Sequence, residues 1–498
     1  MSERFDVVVV GSGAGGGVVA GELADAGVNV LLLESGPHKT AADFMRWEAR
    51  ANQELWWPPA FAEPPASDEA PLIVFRGHCV GGTTTINTKV ALRPSAQDYE
   101  KWHMAGGLVG DSGKPFAESD LLAHIERVER RLGVRVRTDW QQCVHTVEPG
   151  FRALGAELEP VMSYTDSNCM RCGSCLQGCP TNAGKSTLNT YIHPPWATGQ
   201  LELRAGCPVT RVVIDDGGER PRATGVEYLD GDGERHKVDA GAVVVAAGTM
   251  ATPQLLIRSG VPEAAGRSPS AVLIGRHIGW HPARLVEGLF DEIQDAHMVY
   301  PITSHCMKFQ RDEDGGFVVE AATIQDPIGF ATALCDERGI PLWGRQLTDA
   351  LREYRYYTGL LTMVNDENHG TAWVDGGGRD HYSFQWSDSE RERIDRSLEF
   401  AREVLLASGA KRVFQTGVLS THVQGGCRMG SDPERSVVDA HGESHDVRGL
   451  FVGDGSVIPR TLSVNPSLTI MSLASRLGEY LASGEHGYFE DGAVRAAA

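Results

Sequence analysis

The chain has 498 residues, 41% of them hydrophobic and 22% charged, enough to bury the cores of two closely joined domains. A formal net charge of −20 with a pI near 5.3 argues against nucleic acid as a partner, because that affinity comes from Lys and Arg neutralising phosphates. No uninterrupted apolar run approaches the roughly 20 residues of a membrane span, so no transmembrane segment is expected.

In chain order, an apolar strand from Phe5 to Val10 begins after only four residues, too short and too tightly joined to a glycine turn to be a signal peptide. The turn is Gly11-Ser12-Gly13-Ala14-Gly15-Gly16. A helix then runs from Val18 to Ala26, stopping near Gly27, and a second apolar strand, Asn29 to Leu33, ends at Glu34. Gly11 permits the tight turn, Gly13 lets backbone approach a pyrophosphate, and Gly16 lets the helix pack closely with its N-terminus facing the phosphates. Glu34 stands where an acid grips the ribose hydroxyls of an adenosine, so a dinucleotide is expected, NAD and FAD fitting the motif alone equally well.

Trp56-Trp57-Pro58-Pro59 and the Ala/Pro/Glu stretch after it read as an irregular loop, either a cover over the cofactor or plain aromatic packing. Next comes Arg76-Gly77-His78-Cys79-Val80-Gly81-Gly82-Thr83-Thr84-Thr85-Ile86-Asn87, with Arg93, Asp98 and Trp102 beyond. Ser119 to Leu132 reads as a helix with Leu121, Leu122, Ile125, Val128 and Leu132 on one stripe and Gly133 ending it. Val209 to Ile214, Ala223 to Tyr228 and His236 to Val238 read as a small meander, and Val243 to Ala247 as a further strand leading into Gly248-Thr249-Met250-Ala251-Thr252-Pro253. The C-terminal quarter carries Thr421-His422-Val423-Gln424-Gly425-Gly426-Cys427-Arg428-Met429-Gly430, then Asp454-Gly455-Ser456, then Asn465-Pro466-Ser467-Leu468-Thr469. The tail after Gly484 is expected to be mobile.

These segments, from residue 5 to about 480, resemble the glucose-methanol-choline (GMC) family of FAD-dependent oxidoreductases, while roughly 285 to 410 carries almost no signature. The resemblance implies an α/β fold: a Rossmann-like FAD-binding domain with an α+β substrate domain built on an antiparallel sheet. The expected division is residues 1–105, 200–284 and 415–484 for the FAD-binding domain, 106–199 for a helical, cysteine-rich insertion, 285–414 for the substrate domain, and 485–498 for the tail. It places FAD against Gly11, Gly13, Gly16, Glu34, Gly82, Thr83, Asn87, Val209, Ala247, Gly248, Asp454, Gly455 and Pro466. Ile86 stands where covalently flavinylated members often carry histidine, so FAD is expected to be non-covalent, with Asn87 at the isoalloxazine edge. By resemblance His422 is the base that takes the hydroxyl proton beside the flavin N5, and Asn465 orients the substrate oxygen. Alone, His422 reads as an ordinary satisfied histidine and Asn465 as a turn residue before proline; the pair carries the signal. His281 resembles another family position and is taken as structural or flavin-proximal.

Four of the ten cysteines form the run Cys169-x2-Cys172-x2-Cys175-x3-Cys179-Pro180, the ligand spacing of bacterial ferredoxins. A 3Fe-4S or 4Fe-4S cluster is the favoured reading, since iron-sulfur sugar dehydrogenases of the GMC family carry a similar insertion. Structural zinc, two disulfides, or buried thiols like those of long-chain alcohol oxidases are the alternatives. Cys79 and Cys427 are read as packing residues.

The expected function is therefore FAD-dependent dehydrogenation of an alcohol or sugar hydroxyl, electrons leaving through the cluster to a redox partner. The rivals are an oxidase that reduces oxygen directly, a hydroxynitrile-lyase-like enzyme on the same scaffold, and a non-catalytic flavoprotein. Reduced thiols fit a cytoplasmic location, with co-export beside a signal-bearing partner as the alternative.

Overall fold

Val7 to Val10 and Val30 to Leu33 are apolar at every position, which suits parallel strands covered on both faces. In the computed structural model, which describes residues 3–64, 71–323, 326–336 and 338–489, they lie at the centre of a seven-stranded sheet. Strand Arg4–Val10 is flanked in parallel by Val30–Glu34 and by Arg235–Val245, with Val8 opposite both Leu31 and Val243. Leu201–Ala205 adds to the outer side of Val30–Glu34. Helix Ala14–Asp25 packs against the C-terminal helix Ser467–Ser483, and Val18, Val19, Leu23, Leu468, Met471 and Leu477 join the strand valines in one core.

The meander forms with Val209–Asp215 and Arg222–Leu229 as read, but its third strand does not stop at Val238. Arg235 to Val245 is one strand of 11 residues. Its first half pairs antiparallel with Arg222–Leu229, and its end pairs in parallel with Leu450–Val452. The two strands read separately, His236 to Val238 and Val243 to Ala247, are thus joined through Gly241, where packing requires a bare glycine: a Cβ there would lie 2.5 Å from the Tyr488 carbonyl oxygen.

The second large sheet is mainly antiparallel, with Ala283–Leu289, Phe317–Thr323 and Tyr357–Val364 as its central strands. Helix Asp388–Ala407 covers it, started by a reciprocal cap between Ser387 and Glu390 and docked through Ile394, Ala401, Val404 and Leu405. A four-stranded sheet centred on Arg276–Gly279 includes Gln424–Gly426, which places the residues after His422 beside those before His281.

The helix read from Ser119 to Leu132 is a short 3₁₀ turn, Glu118–Asp120, followed by Leu122–Leu132, ended by Gly133 in the left-handed region. The Trp56 loop is packed. Trp56 Nε1 donates to the Leu176 carbonyl at 3.1 Å and the Trp57 ring lies 3.9 Å from the His78 ring, while residues 65–70 of that stretch lie outside the described residues. Of the tail, Tyr488 is buried and its hydroxyl donates to Glu443; residues 490–498 lie outside the described residues. No described helix is long and apolar enough to cross a membrane.

Candidate flavin and active site

Three of the four glycines in the first turn are demanded by the protein itself. A Cβ on Gly11 would sit 2.3 Å from the Ala246 carbonyl, on Gly15 1.6 Å from the Gly453 carbonyl, and on Gly16 1.9 Å from the Gly11 carbonyl. Gly13 is different. Its φ of −65° suits any residue, and a Cβ there would meet nothing within 4 Å. It is the N-cap of helix Ala14–Asp25, which has no side-chain cap, so no capping side chain occupies the first N–H groups of that helix. That is the arrangement a pyrophosphate requires, and the residues present fit FAD.

The glycine loop lies directly against this turn: Gly81 N donates to Ser12 Oγ at 2.9 Å, and a Cβ on Gly82 would fall 2.8 Å from Gly13 Cα. Thr83 Oγ1 accepts from Gly77 N. Glu34 stands at its strand's end, where its carboxylate accepts from Ser12 N and Oγ on one oxygen and from Ser35 Oγ and Gly36 N on the other. It thereby staples the phosphate turn, a role the sequence did not suggest. The Glu34 carbonyl accepts from Cys207 N at 2.8 Å, which sets Val209 near that strand end. Ala247 and Gly248 follow the long strand. Gly248 has φ +86° with open space where a Cβ would go, and its N–H donates to Asp454 Oδ2 at 2.8 Å. Asp454 also accepts from Thr252 Oγ1, Ser456 N and Ser456 Oγ, and Gly455 packs on Thr249.

Asn87 Nδ2 donates to the Tyr164 hydroxyl at 2.6 Å, which in turn lies 3.3 Å from Ser467 Oγ. The flavin loop is thus linked to the start of helix Ser467–Ser483, whose N-cap is Pro466 and which also lacks a side-chain cap. Asp98 and Trp102 anchor the segment leading to that helix: Asp98 accepts from Ser463 N and Oγ, and Trp102 Nε1 donates to the Arg460 carbonyl.

His422 is half-buried, with Nδ1 enclosed and without a hydrogen-bond partner. Burial pushes its imidazole down to about 4, so the ring is neutral and able to accept a proton at ordinary pH. Asn465 is buried with Oδ1 equally unpartnered. Gln424 joins the two segments, its Nε2 donating to the His422 carbonyl and its Oε1 accepting from Leu462 N, each at 3.1 Å.

Two further buried groups stand out, Glu320, which the sequence reading did not single out, and His281, which it took as structural or flavin-proximal. Glu320, in strand Phe317–Thr323, is fully buried with neither carboxylate oxygen partnered. Burial pushes its carboxyl up to about 8, and the neighbouring Asn465 carboxamide offsets part of that rise, so it is mainly protonated at neutral pH. Its one trace in the sequence is a carboxylate inside an otherwise apolar strand. His281 is fully buried, both ring nitrogens lack a protein partner, and its ring lies 5.3 Å from that of His422. Its φ of +47° is a conformation that costs a histidine about 1–3 kcal/mol.

All ten cysteines are free thiols. Cys175 lies within electrostatic reach of Cys169, Cys172 and Cys179, but no three of the four sulfurs come within 4.8 Å of one another; among the described residues only Glu367, His369 and Glu390 do so. Tetrahedral zinc would hold thiolates about 3.8 Å apart, so a preformed zinc site does not fit. The iron-sulfur expectation finds no support in this geometry. The cysteine segment instead backs the flavin loop through Lys89, which is wholly buried, donates to the Thr84 and Thr85 carbonyls, and lies near Cys79, Cys175 and Cys179. Cys179 Sγ accepts from Gly184 N at 3.2 Å.

Comparison with known proteins matches residues 5–283 and 378–474 to the N- and C-terminal models of GMC oxidoreductases. The chain is 25% identical to long-chain-alcohol oxidase FAO4A of Arabidopsis thaliana over 96% of its own length and 68% of that protein's, so it spans about two thirds of this plant relative. It is 27% identical to 2-methyl-1,2-propanediol dehydrogenase of Mycolicibacterium austroafricanum, covering 96% of this chain and 95% of that one. Among solved structures, pyridoxine 4-oxidase from Mesorbium loti superposes with a TM-score of 0.74 at 18% identity, covering 98% of this chain and all of that one, a likeness of fold.

Proposed function

This chain belongs to the GMC oxidoreductase family, and from that premise we propose that it is an FAD-dependent enzyme oxidising a primary or secondary alcohol, with oxygen as the acceptor. The observation that carries the reading is the placement of unpartnered polar atoms on two segments joined through Gln424: a neutral imidazole at His422 and a carboxamide oxygen at Asn465. Buried polar groups without protein partners mark a place where a ligand supplies the missing hydrogen bonds. FAD, when bound, supplies a two-electron acceptor for the hydride that leaves the carbinol carbon.

The protein's own part is positional and protonic. Asn465 holds the substrate oxygen, His422 receives the hydroxyl proton, and the uncapped N-terminus of Ser467–Ser483 favours negative charge nearby. The protonated Glu320 carboxyl, beside Asn465, keeps a second charge out of the site. Gly13, Gly248, Asn87, Asp454 and the start of helix Ala14–Asp25 would hold the cofactor without a covalent link.

Oxygen as acceptor is supported by the alcohol oxidase among the relatives; the propanediol dehydrogenase favours a second reading, in which another acceptor takes the electrons. Anaerobic mixing with an alcohol panel is expected to bleach the flavin absorbance, and admitting air to restore it within the turnover time with one peroxide formed per alcohol oxidised. Slow reoxidation with brisk dye-linked turnover would favour the dehydrogenase. No bleaching by any alcohol would sink the reaction class and leave the lyase-like alternative. The cysteine run is proposed as a structural buttress for the flavin loop, so protein purified without oxygen should contain far less than one iron and one sulfide per FAD. About four of each would restore the cluster and a protein electron acceptor.

A further inference from the structure

The left-handed conformation of His281 persists only if its surroundings fix it; Ser420 Oγ donates to the Trp280 carbonyl, and the backbone N–H groups of Trp280 and His281 are both held by one carboxylate. Asp366, buried in the turn after strand Tyr357–Val364, accepts from Trp280 N at 2.6 Å and His281 N at 3.3 Å on one carboxylate oxygen, and from Asn368 N on the other. Asn368, itself at φ +59°, donates to the His277 carbonyl at 3.1 Å and accepts from Thr461 N at 3.0 Å. A Cβ on Gly279 would lie 1.6 Å from Thr461 Oγ1 and 2.7 Å from Asn368 Nδ2, so these segments touch backbone to side chain with no slack. The turn at 366–368 therefore fastens the His281 segment on one side and the segment leading to Asn465 on the other.

We infer that Asp366 is a positioning residue: it fixes the His281 imidazole against His422 and, through Asn368, sets that pair of rings relative to Asn465. His281 is suited to such use because both its nitrogens are free of protein partners while its ring lies tilted by 35° to that of the proposed base. The carboxyl of Asp366 is pushed well above the usual carboxylate range by burial and by the neighbouring Glu390, whose own oxygens are committed to Glu367 N and Ser387 N. Such an unfavourable placement makes sense for a group that the 280–281 backbone requires. The inference rests on His422 acting on an alcohol, as proposed above, only for its kinetic consequence.

The test uses the FAD-loaded enzyme with Asp366→Ala and Asp366→Asn. The first readout is the ring resonance of His281 in histidine-labelled protein, identified by its loss in His281→Asn. It should shift in Asp366→Ala, and less in Asp366→Asn, whose carbonyl can still accept from Trp280 and His281, while that of the exposed His236 stays put. The second is anaerobic flavin reduction. The limiting rate per bound FAD should fall about ten- to hundredfold in Asp366→Ala, with substrate affinity within about threefold and Asp366→Asn intermediate. Wild-type resonance and rate in both variants overturn the inference, as does a loss that tracks substrate affinity alone. If Asp366→Ala does not fold, Asp366→Asn decides by the same two readouts. If no alcohol reduces the wild-type flavin, the proposed function fails, and the His281 resonance still decides the positioning claim by itself.

Discussion

Replacing His422 by glutamine should lower the limiting rate of flavin reduction by about 10²- to 10⁴-fold while FAD stays bound, because the hydroxyl proton loses its acceptor while the glycine turns that would hold the cofactor are untouched. The Nδ1 of His422 has no protein partner, and Gln424 and the Gly425–Gly426 turn hold its segment through backbone contacts that the substitution leaves in place. The pH profile sharpens the expectation. A base works in its deprotonated form, and burial lowers this imidazole from the ordinary 6.5 to about 4. The acid limb of kcat/KM should therefore fall nearer pH 4 than 6.5, with the rate flat through the neutral range as far as His422 is concerned. The same shift bears on stability: protonation favours the unfolded chain, so this histidine's contribution is intact above about 6.5 and shrinks as pH falls toward 4. A loss smaller than about tenfold in His422→Gln, with full flavin content, would remove it as the base.

The second large effect is expected at Gly13. Gly13→Val should weaken FAD binding by at least about a hundredfold, roughly 2.7 kcal/mol, while leaving the melting temperature of the cofactor-free chain within a few degrees of wild type. The reasoning is geometric: this position has an ordinary φ and open space ahead, so the protein tolerates a side chain that the pyrophosphate does not. Gly15→Ala is the matching control, since its Cβ would fall 1.6 Å from the Gly453 carbonyl and must disturb the fold itself. Absorbance of bound flavin and circular dichroism of the stripped protein separate the two effects. Normal FAD affinity in Gly13→Val would refute the pyrophosphate assignment at this turn.

Much of the flavin side was legible because its signals are local. Strand, glycine turn, helix and terminal acid lie within 30 residues, each constrained by backbone conformation or close approach, and such constraints leave glycines at fixed spacings. The meander's two turns, Asp215-Asp216-Gly217-Gly218 and Asp230-Gly231-Asp232-Gly233, are marked by glycines as well. Its third strand was read in two pieces, His236 to Val238 and Val243 to Ala247, whereas the fold runs them together through Gly241, a close-contact residue packed against Tyr488 inside the strand. The cysteine run shows the opposite risk: a short spacing suggested a ligand set, yet spacing does not say how far apart the sulfurs stand once the loop folds against Lys89 and Gly184.

The sequence by itself determined the dinucleotide turn and the family likeness, and it suggested His422 with Asn465 as the working pair, because glycine geometry and short motifs are written in neighbouring residues. Only the tertiary structure decided that Glu34 staples the phosphate turn, that Asp98 and Trp102 hold the segment before Asn465, and that Glu320, His281 and Asp366 gather around the proposed chemistry. Those groups come from strands and turns far apart in the chain. Hydrogen bonds from distant segments fix Glu34, Asp98, Trp102 and Asp366, while Glu320 and His281 stand out by burial without a partner; both are properties of surroundings that no single stretch of sequence contains.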